Sequence, residues 1–457
     1  MTDDHAAGRL GCYGDKTIPT PNLDRLAGEG VRFTNCFVTN SLCAPGRATV
    51  LTGCYSHLHG VRGNSEMANL VEHLNPKLPT FPQLLQKAGY RTGIVGKWHL
   101  SDDPAGFDHW CVLPGQGQYF DPEFIDNGRR KKLKGYSTDV TTDLALEFLA
   151  GAGRQPFCLL YHHKAPHRPF QPAPRHAGLL GDIELPYPAT FDDDYATRRM
   201  AREAEDMRFD VSLSGDYKDL PAGLSAAERK RWLYQRFVKD YYRAVYGVDE
   251  NLGRVLESLD GRGLAEDTIV FYTSDNGFFL GEHGWYDKRF MYEPSLRVPL
   301  LVRGPGLGAA PRVEERMAVN VDYAPTILDF AGVEIPAQMQ GRSLRPLLEG
   351  RRVGEWRRSM YYTYYENSWA MRKAGGALSD PSFQYATPHR VVPHRGVRTE
   401  RHKLIHYYGE GDYWELFDLD TDPQELKNLY GEPSQAELTA ELKRELDRLR
   451  GQYGDAG

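Results

Sequence analysis

The chain of 457 residues has no apolar run near the roughly 18 residues that a membrane-spanning helix needs. Its opening stretch, MTDDHAAGRLGCYG, lacks the basic and apolar regions of a secretion signal, so no targeting segment is expected and the compartment stays open. An excess of positive charge is also missing, because 56 Lys and Arg stand against 62 Asp and Glu. This balance excludes a general affinity for nucleic acid, and an anionic substrate must be bound by a local cluster of cations.

Cysteine is sparse, and the six cysteines show no CxxC or zinc-type spacing, which favours small buried side chains over a disulfide framework. Cys43 differs in context, because Pro45 and Arg47 follow it where an apolar helical pattern begins. The positive end of a helix lowers a thiol pKa, so one hypothesis is a thiolate nucleophile and the other is a buried structural cysteine. The partner pair of a cysteine hydrolase, His/Asn or His/Asp, is not evident; acidic pairs and scattered cations are found instead.

Helical patterns alternate with short apolar runs over the first three hundred residues, which predicts an α/β fold with a large mixed, mostly parallel sheet between helices. We predict strands at 92–95, 157–161 and 268–272, a long helix at 236–259 and an irregular surface insertion at 187–230. After residue 351 the pattern changes to short antiparallel strands followed by a helix, at 359–364, 396–398, 403–407, 415–419 and 434–450. The sequence therefore predicts a catalytic domain over residues 1–350 and a smaller antiparallel α+β domain over residues 351–457.

Polar stretches directly follow three of the predicted strands: KWH, HHKAPHRP and TSDNG. Because ligands bind outside the carboxyl ends of strands in open α/β sheets, one pocket could collect all three. Within the second stretch, His162 and His163 could either contact a substrate or pack inside the sheet.

The stretch CAPGR at 43–47, followed by LTG, is one of a series of motifs that occur in a fixed order along the chain. The others are Asp3-Asp4, TPNLDRLAGEGVRFTN, GYRTGIVGKWHL, KAPHRP, TSDNG and GVRTERHKLI. Together they resemble the type I sulfatases of the alkaline phosphatase superfamily, and the resemblance covers nearly the whole chain. Gly46 stands where that family usually has a serine.

The resemblance implies that a formylglycine-generating enzyme oxidises Cys43 to formylglycine, an aldehyde, after translation. In that family the aldehyde hydrates to a geminal diol, and one hydroxyl attacks the sulfur of the substrate. The second hydroxyl, once deprotonated, collapses to expel sulfate and restore the aldehyde. A plain thiol could not leave in this way.

The resemblance also implies roles for five charged residues. Arg47 stabilises the formylglycine hydrate, Lys97 and His99 contact the hydrate and the sulfate, and Lys288 binds the sulfate. His167 resembles the histidine that protonates the leaving alcohol. Taken singly, each of these side chains could equally be a solvated charge or a packed strand-end residue.

The metal ligands implied by the resemblance are Asp3, Asp4, Cys43, Asp275 and Asn276. Oxygen ligands of this kind suit Ca²⁺, with Mg²⁺ also possible. Without the resemblance, the Asp3-Asp4 pair would read as a helix cap and TSDNG as a turn.

The run GFFLGEHGWYDKRFMYEPSLRVPLLVRGPG, together with HKAPHRP, is most similar to sulfatases of the N-acetylglucosamine-6-sulfatase and mucin-desulfating group. We therefore expect hydrolysis of a sulfate ester, on a sugar. One alternative is a phosphonate monoester hydrolase or phosphodiesterase of the same superfamily. Another is a non-catalytic protein that binds sulfated glycans, in which Cys43 is never oxidised or the metal site is lost with a missing N-terminal strand.

The N-terminus departs from the family pattern, in which a buried apolar strand precedes the Asp-Asp pair. Here only Met1 and Thr2 stand before Asp3. We expect either a start codon assigned too late, with a strand and any signal peptide upstream, or a sheet that tolerates a short strand. A ligand pair so close to a chain end would be expected to fray.

Overall fold

The computed structural model describes residues 1–64, 71–153, 155–307, 311–366, 389–408 and 412–456. Within these ranges, helices and strands alternate through the first part of the chain, and an antiparallel sheet with a helix follows. The mixed α/β fold and the smaller antiparallel unit predicted from the sequence are confirmed. The boundary at residue 350 stays a prediction. No described helix is both long and apolar enough to span a membrane.

The α-helices of the described ranges are named in chain order. They are α1 (Pro21–Gly28), α2 (Cys43–Thr52), α3 (Ser56–His59), α4 (Phe81–Lys87), α5 (Ser137–Ala152), α6 (Arg199–Glu203), α7 (Phe209–Ser212), α8 (Ala226–Gly261), α9 (Glu293–Leu296), α10 (Tyr323–Phe330), α11 (Arg345–Leu348) and α12 (Ala436–Tyr453). Helix α2 carries Cys43 and Arg47, two side chains that the site uses.

The strands are named in the same way. They are β1 (Val31–Phe33), β2 (Cys36–Phe37), β3 (Arg91–Lys97), β4 (His109–Leu113), β5 (Glu123–Asp126), β6 (Arg129–Lys132), β7 (Phe157–His162), β8 (Val270–Thr273), β9 (Phe279–Leu280), β10 (Tyr286–Asp287), β11 (Leu300–Arg303), β12 (Arg312–Glu314), β13 (Ala318–Val319), β14 (Ser359–Tyr364), β15 (His394–Thr399), β16 (His402–Tyr407) and β17 (Tyr413–Asp418).

Two sheets form the centre of the catalytic part, one in the order β6-β5-β4-β3-β7 and the other in the order β12-β1-β11-β8. β3 pairs in parallel with both β4 and β7, whereas the flanking pairs β4–β5, β5–β6 and β11–β8 are antiparallel. The parallel pairs place the carboxyl ends of β3, β4 and β7 at one edge, as the predicted pocket requires.

Met1 and Thr2 lie between β7 and β8 and connect the two sheets. The amino group of Met1 donates to the carbonyl of Tyr161 at 2.8 Å, and the amide of His163 donates to the carbonyl of Met1 at 2.9 Å. On the other side, the amide of Thr2 donates to the carbonyl of Thr273 at 3.0 Å. These bonds to both sheets hold the first residues in place, so the fraying expected for this end is not what the structure shows.

Helix α8 begins ten residues before the start predicted from the hydrophobic pattern. Ser225 caps it, because the Glu228 amide donates to Ser225 Oγ while the Glu228 carboxylate accepts from the Ser225 amide at 2.8 Å. A cap of this kind lets a helix start on a fully polar turn, which apolar periodicity cannot detect.

The stretch predicted as a surface insertion at 187–230 is instead partly buried. Phe191, Phe209 and Leu213 have at most 5% of their surface exposed and pack with Tyr234 and Phe237 of α8. The prediction missed these buried apolar residues because they are widely spaced among many charged residues. The insertion is thus part of the core on that side of the molecule.

The C-terminal sheet, in the order β14-β15-β16-β17, packs against the catalytic part. The hydroxyl of Tyr362 accepts from the amide of Ser41 at 3.2 Å and donates to the carbonyl of Arg289 at 2.6 Å. Lys403 of β16 lies between Glu293 at 3.0 Å and Glu425 at 2.6 Å. The C-terminal unit therefore contacts the segments that carry Cys43 and Lys288.

Candidate active site

The motifs predicted to share a pocket do meet at the carboxyl ends of the central strands. Lys97 is the last residue of β3, His162 is the last of β7, and Asp275 follows β8 by two residues. Asp3 and Asp4 directly follow the two residues that connect the sheets, and Asp4 adopts a positive φ of 66°. The strand ends therefore converge on one buried polar centre.

Three carboxylates form the middle of this centre. Asp3, Asp4 and Asp275 each offer one oxygen within 4.8 Å of the others, and none has more than 1% of its surface exposed. Asn276 donates through Nδ2 to Asp4 at 2.7 Å, while its Oδ1 is buried and has no hydrogen-bond partner among the described residues. An all-oxygen set of repelling carboxylates with an orphaned amide oxygen fits a hard divalent cation.

Each carboxylate also contacts one cationic side chain. Lys97 donates to Asp3, and Lys288 donates to Asp4 at 2.6 Å. Arg47 approaches Asp275 Oδ2 with Nε at 3.0 Å and Nη2 at 2.9 Å. These three cations compensate the buried negative charge of the carboxylates.

The compensation is uneven, and the pKa values show it. Burial, together with the negative charges of Asp3, Asp275 and Asp287, raises the pKa of Asp4 to about 7, although Lys288 lowers it. Burial would also raise the pKa of Asp3, but Lys97, with His167 and Arg47, holds it well below its usual range. An added positive charge would therefore stabilise the ionised form of Asp4.

Cys43 is the first residue of α2 and is completely buried. Its Sγ lies 3.3 Å from Asp3 Oδ1, and burial together with that carboxylate raises the pKa of the thiol well above its usual range. The lowered pKa expected from the helix N-terminus is therefore wrong for this cysteine. An unmodified Cys43 that donates its proton to Asp3 does not favour the thiolate hypothesis.

Gly46 lies against the loop that carries Asp275. A Cβ on Gly46 would stand 2.4 Å from the Asp275 carbonyl oxygen, which is too close for any side chain. The glycine in place of the usual serine therefore has a local reason, since here the backbone after β8 approaches α2 directly.

Arg47 and Lys97 are fixed relative to each other. Arg47 Nη1 donates to the carbonyl of Lys97 at 2.7 Å, and Lys97 Nζ donates to Gln116 Oε1 at 2.6 Å. The Gln116 amide nitrogen is 3.3 Å from His99 Nε2. Gln116 therefore connects Lys97 with His99, and the motif analysis gave no signal for it.

His167 faces the carboxylates through one edge of its ring. Its Nε2 lies 3.8 Å from Asp4 Oδ2, and its Nδ1 donates to the carbonyl of Arg168 at 2.6 Å. Burial, with Lys97 and Lys164 nearby, lowers the pKa of His167 well below its usual range. Without substrate the ring is neutral, and Nε2 carries the lone pair that faces the site.

Lys164 is a further cation of the site that was not singled out from the sequence. Only 3% of it is exposed, its Nζ donates to the carbonyl of Arg168 at 3.3 Å, and it lies 5.0 Å from the centre of the Tyr119 ring. Burial lowers the pKa of its ammonium to about 8. A lysine here adds positive charge for an anionic ligand without being paired to a carboxylate within hydrogen-bond distance among the described residues.

Two side chains next to Lys288 extend the polar wall. Asp287 and Arg289 both have positive φ values, 75° and 96°, and Asp287 binds His389 Nε2 at 2.7 Å while Arg289 binds Glu366 at 2.6 Å. Asp287 and Arg289 flank Lys288 in the run YDKR, so the sequence places them near the site. His389 lies about a hundred residues further on, and no local motif connects it with Lys288.

The two ambiguous histidines serve the framework. His162 Nδ1 is 3.2 Å from the carbonyl of Lys97 and 3.5 Å from Arg47, so it buttresses those residues. His163 is buried and packs edge to face on Tyr161, with ring centres 4.3 Å apart. Neither ring reaches the three carboxylates.

Comparison with known proteins agrees with this geometry. A sulfatase family model matches residues 1–333, and a model described as the C-terminal part of N-sulphoglucosamine sulphohydrolase matches residues 281–452. An N-acetylglucosamine-6-O-sulfatase of Bacteroides thetaiotaomicron is 41% identical over 503 residues, covering 100% of this chain and 86% of its own length. Human N-acetylglucosamine-6-sulfatase is 30% identical over 446 residues, covering 90% and 77%.

A solved structure in complex with its substrate, D-glucosamine-2-N,6-O-disulfate, superposes with a TM-score of 0.89 at 40% identity. The match covers 100% of this chain and 97% of that one. Since the family model, the relatives and this structure all span the strand ends where the cations and carboxylates meet, the chain belongs to the sulfatase family and is a sulfuric ester hydrolase.

Proposed function

We propose that the protein removes the 6-O-sulfate group from glucosamine or N-acetylglucosamine residues. The observation that carries this proposal is 41% identity along the full chain to an N-acetylglucosamine-6-O-sulfatase. The glucosamine disulfate bound by the similar solved structure supports the same class of sugar. A buried centre with the cations Arg47, Lys97, Lys164 and Lys288 provides the charge that a sulfate ester requires.

We propose that Cys43 acts after conversion to formylglycine by a formylglycine-generating enzyme. A protonated thiol that donates to Asp3 is a poor nucleophile, so the unmodified residue does not fit the task. Formylglycine would supply a reversible aldehyde at this position, which allows sulfate to be released after its transfer.

Asp3, Asp4, Asp275 and Asn276, with the modified residue 43, would hold the divalent cation, which we propose to be Ca²⁺, with Mg²⁺ as the second possibility. The donor set and the orphaned Asn276 Oδ1 fit such an ion. A cation bound there would supply positive charge close to the sulfate oxygens.

Lys97 and Lys288 would bind the sulfate group. Both ammonium groups contact carboxylates that belong to the proposed cation site. A cation at these carboxylates would supply the charge that the two lysines supply there, and Lys97 and Lys288 would then be available to bind the sulfate oxygens. Arg47 stays in place, because the Lys97 carbonyl and Asp275 hold it from two sides.

His167 would protonate the leaving sugar oxygen. Because Nδ1 donates to the Arg168 carbonyl, the proton must leave from Nε2, the atom that faces the carboxylates. The ring is neutral without substrate, and the negative sulfate raises its pKa on binding, so that Nε2 takes up the proton it later donates.

The proposal is tested by comparing the rates on N-acetylglucosamine-6-sulfate, an aryl phosphonate monoester and an aryl phosphodiester, using metal-loaded protein and the Cys43→Ala variant as control. We expect the sugar sulfate to be the preferred substrate and Cys43→Ala to abolish turnover. Faster turnover of the phosphorus esters would instead identify a phosphonate monoester hydrolase or phosphodiesterase.

The mass of the Cys43 peptide from the native host tests maturation separately. Formylglycine is expected there. A peptide that carries only the thiol, in a protein that binds the sugar sulfate without hydrolysing it, would identify a glycan-binding protein.

A further inference from the structure

A hairpin arm extends from the active site to the edge of the five-stranded sheet. This arm, residues 119–136, contains β5, a turn at 127–128 and β6. The two segments of the arm remain hydrogen-bonded to each other up to the end nearest the site. The Asp121 amide donates to the Gly135 carbonyl at 2.8 Å, and the Ser137 amide donates to the Tyr119 carbonyl at 2.7 Å. The arm is thus one continuous ribbon.

The base of the arm touches the catalytic centre. The hydroxyl of Tyr119 donates to the carbonyl of His167 at 2.6 Å, and the Tyr119 ring stacks on Tyr136. The register places Lys132 opposite Glu123, at the end of β5 nearest the site. Since β6 is three strands away from β3 and neighbouring strands lie about 4.8 Å apart, Lys132 lies roughly 14 Å from the line of Lys97.

The arm carries a cluster of positive charge in a chain that is acidic as a whole. The sequence RRKKLK at 129–134 holds five of its cations, against three carboxylates in the arm. Arg130 pairs with Glu123, and Lys131 pairs with Asp126 at 2.7 Å. For Arg129, Lys132 and Lys134, all exposed, the described residues offer no ion pair.

Lys132 ends β6 and Lys134 follows it by two residues, and both side chains are exposed. Phe120, 43% exposed, lies at the base of the arm, with its ring centre 5.5 Å from that of Tyr136. Charges on an edge strand also prevent aggregation, but that role does not require an exposed aromatic ring. Exposed cations next to an aromatic ring fit a chain of sugars that carries sulfate groups.

We propose that the arm binds the neighbouring sugars of a sulfated polysaccharide whose terminal residue occupies the active site. Lys132 and Lys134 contact sulfate groups, and Phe120 packs on the face of a sugar ring. The inference rests on the proposed function, because it places a sulfated sugar at the strand ends. It adds a second contact surface, the arm, outside the active site.

The test uses two probes, heparin as a sulfated polysaccharide and N-acetylglucosamine-6-sulfate as a monosaccharide. The Lys132→Ala/Lys134→Ala double variant is compared with Lys16→Ala/Lys87→Ala, an equal loss of charge at exposed lysines in other elements. We expect the arm variant to bind heparin about 3- to 20-fold more weakly, with a smaller salt dependence, and to keep its kcat/KM on the monosaccharide.

Phe120→Ala should weaken heparin binding without changing its salt dependence, because it removes no charge. Heparin affinity that is equal in the two double variants would overturn the inference, as would equal losses on both probes in the arm variant. Absence of monosaccharide turnover in the parent protein would instead overturn the proposed function, and the heparin comparison would still decide the role of the arm.

Discussion

Gly46 and Asp275 are in direct backbone contact, and a Cβ on Gly46 would lie 2.4 Å from the Asp275 carbonyl oxygen. Gly46 belongs to the helix that begins at Cys43, whereas Asp275 belongs to the carboxylate centre. The contact therefore fixes the distance between the nucleophile position and the proposed cation site.

We predict that Gly46→Ala lowers both bound metal and turnover, because the new methyl group must push the Asp275 loop away. Overpacking of this kind costs roughly 1–3 kcal/mol of stability. Metal content and melting temperature are measured for the purified variant. Gly28→Ala, at the end of α1 with open space around its Cβ position, is the control that should change neither. Full metal occupancy in Gly46→Ala would contradict the prediction.

Asp275→Asn should remove bound metal and nearly all turnover. Asparagine keeps the shape of the side chain, so the loss reports the missing charge, whereas Asp275→Ala would also leave Arg47 buried without its partner. Metal analysis is the primary readout. Asp249→Asn, a buried carboxylate of α8 outside the site, serves as control. A metal-loaded Asp275→Asn protein would remove this residue from the site.

His167→Ala should damage hydrolysis of a sugar sulfate far more than hydrolysis of nitrophenyl sulfate. A proton donor contributes ~10²- to 10⁴-fold, and only when the leaving group is poor, since a phenolate departs unaided. Both rates are measured on matured, metal-loaded protein, with His176→Ala as a control histidine that is buried elsewhere. Equal losses on both substrates would assign proton donation to another group, with His99, Lys164 or Lys288 as candidates.

Gln116→Ala should lower kcat/KM by roughly tenfold or more, because Lys97 loses a charge-assisted hydrogen bond. Gln116→Glu should be worse, since its carboxylate would repel the incoming sulfate and hold Lys97 away from it. Steady-state kinetics on the sugar sulfate test the order, and Gln118→Ala on the exposed part of the same loop is the control. If Gln116→Glu outperforms Gln116→Ala, Gln116 only positions Lys97 and does not face the sulfate.

The stability of the fold should fall as the pH rises toward 8, partly through Glu415. Burial raises the pKa of this carboxyl to about 7, although Tyr292 and Tyr407 donate hydrogen bonds to it. Because the pKa of Glu415 is higher in the folded than in the unfolded protein, its protonated carboxyl stabilises the fold. This contribution is complete below pH ~4.5 and is lost as the pH rises through about 7. Urea unfolding at pH 5 and pH 8 should show a smaller pH difference in Glu415→Gln. An unchanged difference would contradict this assignment.

Much of the site could be predicted because its residues follow strands. Lys97 ends a buried apolar run and Asp275 follows another, so the alternation of helices and strands already places both at one edge. The antiparallel C-terminal sheet could also be predicted, since each of its strands has its own apolar pattern. The catalytic roles of these residues stay predictions.

Contacts between distant segments could not be predicted. Gln116 and His389 reach the site through loops whose paths depend on packing, and neither stands in a motif with Lys97 or Lys288. The raised pKa of Cys43 could not be predicted either, because burial and the neighbouring Asp3 outweigh the pKa-lowering effect of the helix N-terminus. Local pattern gives an element and its ends, while charge environment depends on the assembled fold.

The hydroxyl of Tyr362 connects the Cys43 segment, through Ser41, with the Lys288 segment, through Arg289. Ser41 and Tyr362 are 321 residues apart in the chain. At about 5–20 residues per second, a ribosome reaches Tyr362 roughly 15–60 s after Ser41. During that interval Tyr362 cannot yet contact Ser41, so the formylglycine-generating enzyme that we propose would have a period in which Cys43 is open to it.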